Sequence, residues 1–268
     1  MCGHFSLFAD DEELVSLFDI DLLLGEHAPS WNEAPSQRIR VVMDRVVADD
    51  PHNPAPAHPG DPGGQGGAPS PMTVVGGDPT APAHATHVER QLRLLEWGLV
   101  PSWAKPPLRP VINARAETLT TKPSFRAAAA KRRCLVPANG YFEWQAVAGT
   151  RGKQPWFLSQ GDGDPVMAFA GIYEAWRDAA GGDDAPWLLT CAIVTRSAPD
   201  ALGEIHDRMP VVVPPGSWDA WLDPDLNERA RVEDLLRSLP APALMPRRVG
   251  RAVGNVRNDG PELIDPVE

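Results

Sequence analysis

RCLVPANGYFEWQ, Arg133 to Gln145, packs two short β-like runs into one stretch. Arg133–Pro137 and Tyr141–Gln145 are rich in branched and aromatic residues, and Asn139-Gly140 between them is turn chemistry. Similar runs follow at Trp156–Ser159, Val166–Tyr173 and Trp187–Thr195, and precede it at Arg38–Ala48 and Gln91–Val100. Helical spacing is confined to three places. Asp10–Leu24 repeats Leu14, Leu17, Phe18 and Leu22 on one face, with Asp10 or Asp11 to cap it and Gly25 to stop it. Ala198–Ile205 and Glu228–Leu239 also read as helices. Many short strands with few helices between them predict an α+β fold: one domain built on a mainly antiparallel sheet or barrel, with flanking helices.

A chain of 268 residues, 43% of them hydrophobic, is large enough for a real core. It has no apolar run of 18 residues, so no membrane-spanning helix is expected. Its start lacks the basic-then-apolar order of a secretion signal. Three cysteines without a CxxC pair make no disulfide framework, and Cys134 and Cys191 sit in apolar runs as buried thiols do. A reducing cytoplasm is the expected compartment.

The stretch Asp49–His87 stands apart, crowded with Pro, Gly and Ala and nearly devoid of large apolar residues. Such a composition cannot offset its ordering entropy by burial. It is read as a flexible insert at about 49–88, interrupting a domain that otherwise spans 1–268. The spacing of His52, His58, His84 and His87 fits no tight metal site, and no metal or cofactor is expected. The net charge of −11, taken alone, argues against nucleic acid as a partner. Asp49, Asp50, Asp61 and Asp78 all belong to the insert, however, so the sum can hide a basic patch elsewhere.

Four residues carry chemistry. Cys2 follows Met1 and is small enough for Met1 to be removed. It would then offer an α-amine and a thiol two carbons apart, with ordinary pKa values of roughly 7.7–8.0 and 8.5. That pair can condense with an aldehyde to an imine and close a thiazolidine ring. The plainer reading is that initiation simply favours a small second residue. Glu143 lies between Phe142 and Trp144. It is either a partly desolvated acid–base group or a strand residue facing water while its neighbours face inward. His206 is a titratable group or a structural hydrogen-bond partner at a helix end, and Asn113 a polar site residue or a turn cap.

Taken in order, the motifs resemble one family. They are Met1-Cys2-Gly3, Trp31-Asn32-Glu33-Ala34-Pro35, Trp97-Gly98-Leu99-Val100-Pro101, Asn113-Ala114-Arg115-Ala116-Glu117-Thr118, Ser124-Phe125-Arg126, Arg132-Arg133-Cys134-Leu135-Val136-Pro137, Gly140-Tyr141-Phe142-Glu143-Trp144, Ile205-His206-Asp207-Arg208-Met209-Pro210 and Val253-Gly254-Asn255-Val256. The set resembles the SOS response-associated peptidase (SRAP) family from Met1 to about Val267. That resemblance implies recognition of abasic sites in single-stranded DNA and cross-linking to them through the N-terminal cysteine. It implies that Cys2 closes the thiazolidine, that Glu143 shuttles protons, that His206 assists sugar opening and reversal, and that Asn113 holds the sugar or the Cys2 end. Arg115, Arg126 and Arg208 are implied as phosphate contacts, Trp97 and Trp103 as stacking or wedge residues, and Thr195 as a pocket position. His4 stands where the family usually has arginine, which weakens one expected phosphate contact. The implied partner is single-stranded DNA with abasic sites, with no membrane involved; a monomer is expected in the cytoplasm, associated with the nucleoid when bound to DNA.

Other readings stay open on sequence alone. Cys2 could attack an amide as an N-terminal-nucleophile hydrolase, although no arginine-glycine-proline substrate signature accompanies it. Cys2, Glu143 and His206 could serve a thiol peptidase or a lyase. Arg115, Arg126 and Arg208 would suffice for a non-catalytic single-strand binder.

Overall fold

The computed structural model describes residues 3–48, 86–150, 152–182 and 184–268. Cys2 and the insert, apart from its last few positions, lie outside the described residues. In chain order the strands are β1 (His4–Leu7), β2 (Leu22–Leu23), β3 (Ser30–Glu33), β4 (Arg38–Ala48), β5 (Thr86–Trp97), β6 (Asn113–Arg115) and β7 (Arg133–Ala138). They continue with β8 (Gly140–Ala146), β9 (Lys153–Ser159), β10 (Met167–Trp176), β11 (Leu188–Ser197), β12 (Arg208–Pro210), β13 (Val212–Val213) and β14 (Met245–Arg248). Five short α-helices among the described residues flank them: α1 (Asp11–Phe18), α2 (Arg126–Lys131), α3 (Asp200–Gly203), α4 (Trp218–Leu222) and α5 (Arg229–Ser238).

The larger sheet runs β12-β11-β10-β7-β4-β5-β2, and a parallel pairing of β11 with β5 (Thr190↔Glu96, Cys191↔Trp97) joins its ends. Five strands, β4, β5, β7, β10 and β11, therefore close a barrel. Its pairs are antiparallel except at that seam, as the short-strand pattern predicts. The smaller sheet, β14-β9-β8-β1-β3, packs on the barrel. Phe5 and Tyr141 make the join, with Phe5 edge-on to Trp97 at 5.3 Å and Tyr141 edge-on to Phe169 at 5.9 Å. Each such ring contributes about 1.5–3 kcal/mol by leaving water.

Several boundaries differ from expectation. β5 starts at Thr86, five residues before Gln91, and pairs with β4 from Arg38↔Glu96 to Ala48↔Thr86. The insert thus begins and ends at the tip of one long hairpin. β5 stops at Trp97 because Gly98 takes a left-handed φ of +153°, where a Cβ would also meet Pro110. The helix expected over Asp10–Leu24 covers only its first half. Asp10 caps it through Glu13 N–H at 2.9 Å, three acidic residues complement its dipole, and Asp19 ends it in the left-handed region. Leu22 and Leu23, compatible with a helix face, instead pair with β5. Of Ala198–Ile205, only Asp200–Gly203 is helical. No helix among the described residues is long and apolar enough to cross a membrane.

Candidate active site

β8 presents the central carboxylate. Strand alternation puts Tyr141 and Glu143 on the face toward the barrel, and Phe142 and Trp144 on the opposite face. That opposite face is not open to water. It packs into a second cluster with Phe157, Val249, Val253 and Leu263. Both faces of β8 are covered, so Glu143 is only 2% exposed and the solvent-facing reading fails. Burial pushes its carboxyl up to about 7, well above the usual carboxylate range.

Two asparagines hold the neighbouring strand in place. Asn139 accepts from the backbone N–H groups of Phe8 (2.9 Å) and Ala9 (3.2 Å) and donates to the Asp164 carbonyl (2.8 Å). The corner therefore fixes the far end of β1. Gly140 follows because a Cβ there would lie 2.1 Å from Cζ of Phe157. β1 then runs antiparallel to β8, with His4 opposite Phe142 and Phe5 opposite Tyr141. His4 packs edge-on against Trp144 at 5.1 Å, and its Nδ1 lies 2.7 Å from Oδ1 of Asn32. Asn32 Nδ2 donates to the carbonyls of Val253, Asn255 and Asn258, so its oxygen is the acceptor and His4 Nδ1 carries the proton. Cys2 lies two residues before His4.

His206 enters from the loop between α3 and β12. Its Nε2 lies 3.9 Å from Glu143 Oε2. The Arg208 backbone N–H donates to Nδ1 at 3.0 Å, and this places the proton of the neutral ring on Nε2, toward Glu143. Asp207 Oδ1 also lies 3.0 Å from Nδ1 and would favour a proton there. Desolvation lowers the imidazole pKa, so the neutral ring with Nδ1 as acceptor is the better description. Gln145 ties the loop to β8 by donating to the Glu204 carbonyl at 3.0 Å while accepting from Trp156 Nε1 at 3.1 Å. A buried acid that is half protonated near neutral pH, next to a neutral imidazole N–H, can both give and take protons.

The other expected site residues fall into two groups. Asn113 opens β6, beside Ile193 of β11, and is half-buried. Arg115, Arg126 and Trp103 are exposed, Trp103 by 63%. Trp97 is fully enclosed in the core and donates Nε1 to the Ile112 carbonyl at 2.9 Å. It supports the approach to Asn113 and offers no face to a base. Thr195 is 1% exposed, with its carbonyl and hydroxyl taking Arg208 Nη2 at 2.6 and 3.3 Å. Arg208 is itself buried and forms a two-pronged pair with Glu117 at 2.7 and 2.9 Å, which holds the Glu117 carboxyl below its usual range. Its guanidinium is thus committed within the protein, unlike those of the exposed arginines. Cys134 and Cys191 are buried, and desolvation raises both thiols far from thiolate formation.

Asn32, Gln145 and Trp156 carry no role in the sequence reading, and Asn139 reads there only as a turn residue. The available signal for the asparagines was a polar residue inside the apolar motifs around Trp31 and Tyr141, which needs a partner when buried.

Known proteins match this chain along nearly its whole length. The SRAP family model, described as SOS response associated peptidase, matches residues 1–256. The abasic site processing protein YoqW of Bacillus subtilis (strain 168) is 32% identical over 269 residues, covering 99% of each chain. The abasic site processing protein YedK of Escherichia coli (strain K12) is 38% identical over 173 residues, covering 64% of this chain and 73% of that one. A crystal structure of a protein from Bacteroides thetaiotaomicron matches all of both chains with a TM-score of 0.70 at 20% identity, a likeness of fold. With a family match from the first residue to position 256 and a full-length relative above 30% identity, the chain belongs to the SOS response associated peptidase (SRAP) family.

Proposed function

We propose that this protein recognises abasic sites in single-stranded DNA and captures them covalently through Cys2, after loss of Met1. The observation that carries this reading is the pair of buried Glu143 and half-buried His206, beside the strand that starts two residues after Cys2. His4 pairs with Phe142, the residue before Glu143, and Cys2 precedes His4 by two positions in the sequence. The names of full-length relatives as abasic site processing proteins support the substrate.

The chemistry balances without a cofactor. The C1′ hydroxyl of the abasic sugar gives up its proton and O4′ takes one, which opens the ring to an aldehyde. The Cys2 amine adds to C1′, and loss of water leaves an imine. The thiol sulfur adds to the imine carbon while its proton passes to nitrogen, closing the thiazolidine. Aldehyde and aminothiol thus give the ring and one water. Glu143, near half protonation at pH 7, protonates the departing oxygen and takes a proton from the adding groups. His206 Nε2 serves O4′ in ring opening and in reversal. Capping C1′ removes the free aldehyde on which strand cleavage by β-elimination depends. The SRAP domain would span 1–268, with the insert outside its machinery.

Single-stranded DNA carrying one abasic site should give a shifted band on a denaturing gel. Cys2→Ala, or an extension that blocks the terminal amine, should abolish it. A fully active extended protein would overturn the thiazolidine route.

A further inference from the structure

Strand register lines up three side chains on the barrel-facing side of the smaller sheet. Glu143 of β8 is opposite Trp156 of β9, and Trp156 is opposite Arg248 of β14. Directly opposed residues of an antiparallel pair share a face. The row passes from a buried carboxyl through a half-buried indole to an exposed guanidinium. It ends two strand spacings from Glu143, about 9.6 Å away.

The two arginines of β14 are sorted by strand alternation. Arg247 faces the other way and is used up in structure. It donates to Asp164 (2.5 Å) and to the Ile264 carbonyl (3.0 Å), and lies over Phe157 at 4.8 Å. Arg248 makes no ion pair with any described carboxylate. It lies over the Trp156 ring at 5.4 Å. Trp156 is itself held in orientation by its N–H bond to Gln145, the residue that anchors the His206 loop. Stacking on an indole keeps a guanidinium flat while its edge stays free to donate. Lys153 and Arg251 are exposed nearby, Arg251 reaching toward Gly152 and Lys153 close enough to act on the charge of His206. Glu204 and Asp207 are exposed acidic groups on that loop, Asp207 with Oδ1 3.0 Å from His206 Nδ1.

We propose that Arg248, stacked on Trp156, is a phosphate-binding subsite for the single strand flanking the lesion, and that its outer face receives a base. Nucleic-acid backbone is the chemistry that fits: a planar donor fork for phosphate beside an aromatic stack, with more positive charge around it. The subsite rests on the single-stranded DNA reading above, and it adds a route by which the strand leaves the Glu143–His206 pair across the sheet.

The test uses the full chain with a labelled single-stranded oligonucleotide, with and without one abasic site, over a salt series. Arg248→Ala should weaken binding to the intact oligonucleotide about tenfold at low salt, and should reduce the slope of log K against log salt by about 0.7. Arg248→Lys should restore the slope while leaving affinity below that of the native protein. The cross-linking rate at saturating DNA should be unchanged, because Arg248 touches no reacting atom. Unchanged affinity and slope in Arg248→Ala would overturn the subsite, as would a slower saturated rate at native affinity. If the native protein binds the strand but forms no cross-link, while Arg248→Ala still loses affinity, the covalent reading fails and the subsite stands.

Discussion

His4 donates its Nδ1 proton to Oδ1 of Asn32 across 2.7 Å, and Asn32 passes the connection on to three carbonyls between Val253 and Asn258. One amide therefore fastens the N-terminal strand to a segment more than 200 residues away. Asn32→Ala leaves the imidazole N–H and those carbonyls without their partner. A loss of about 2–4 kcal/mol is expected. Urea denaturation checks it, and a neutral result would show that water replaces the amide.

The same bond leaves His4 Nε2 as the ring's outward polar atom, where the resemblance leads one to expect an arginine. His4→Arg should tighten single-strand binding and steepen its salt dependence by about 0.7. Anisotropy titrations at several salt concentrations decide it. An unchanged slope would mean that position 4 touches no phosphate.

Glu143 makes stability depend on pH. Its folded pKa of about 7 lies above the ordinary 4.5, so the folded state holds the proton more tightly. The contribution of this group to stability is full below about 4.5 and falls as pH rises toward 7. Glu143→Gln does not titrate. It should match the native protein near pH 4.5 and exceed it at pH 8, by at most on the order of 3 kcal/mol. Cross-linking by the same variant should slow at least tenfold, with DNA binding nearly unchanged. Denaturation at both pH values and a single-turnover gel assay test the two halves. Equal loss of binding and rate would assign Glu143 a structural role.

Gly140→Ala should be strongly destabilising, because the new methyl would sit inside the Phe157 ring. Moving Phe157 disturbs the cluster behind Glu143, at a cost of about 3 kcal/mol. Thermal unfolding should show a fall of roughly 6–12 °C. A small shift would mean that the ring can move aside.

The barrel was legible because its strands carry their own pattern: β4 runs from Arg38 to Ala48 as the sequence predicts. The helix over Asp10–Leu24 was overextended because Leu22 and Leu23 satisfy either period, and only their pairing with β5 decides between them. Glu143 was singled out by its aromatic neighbours. Its burial was not legible, since the cover over Phe142 and Trp144 comes from Val249, Val253 and Leu263, more than 100 positions downstream. Arg208 illustrates the opposite difficulty. A motif marks it as a cation, but only the fold reveals that Glu117 and Thr195 already hold it. Trp97 likewise reads as an aromatic of either kind until the barrel encloses it.

In the proposed capture, the amine and thiol of Cys2 act together on an aldehyde. Its most direct test is intact-mass analysis of the protein after incubation with an abasic single strand. The expected product is a covalent adduct equal to protein lacking Met1 plus DNA minus one water, carried on the N-terminal peptide and lost in both Cys2→Ala and the extended protein. An adduct that forms on the extended protein, or that maps to an internal lysine, would contradict it.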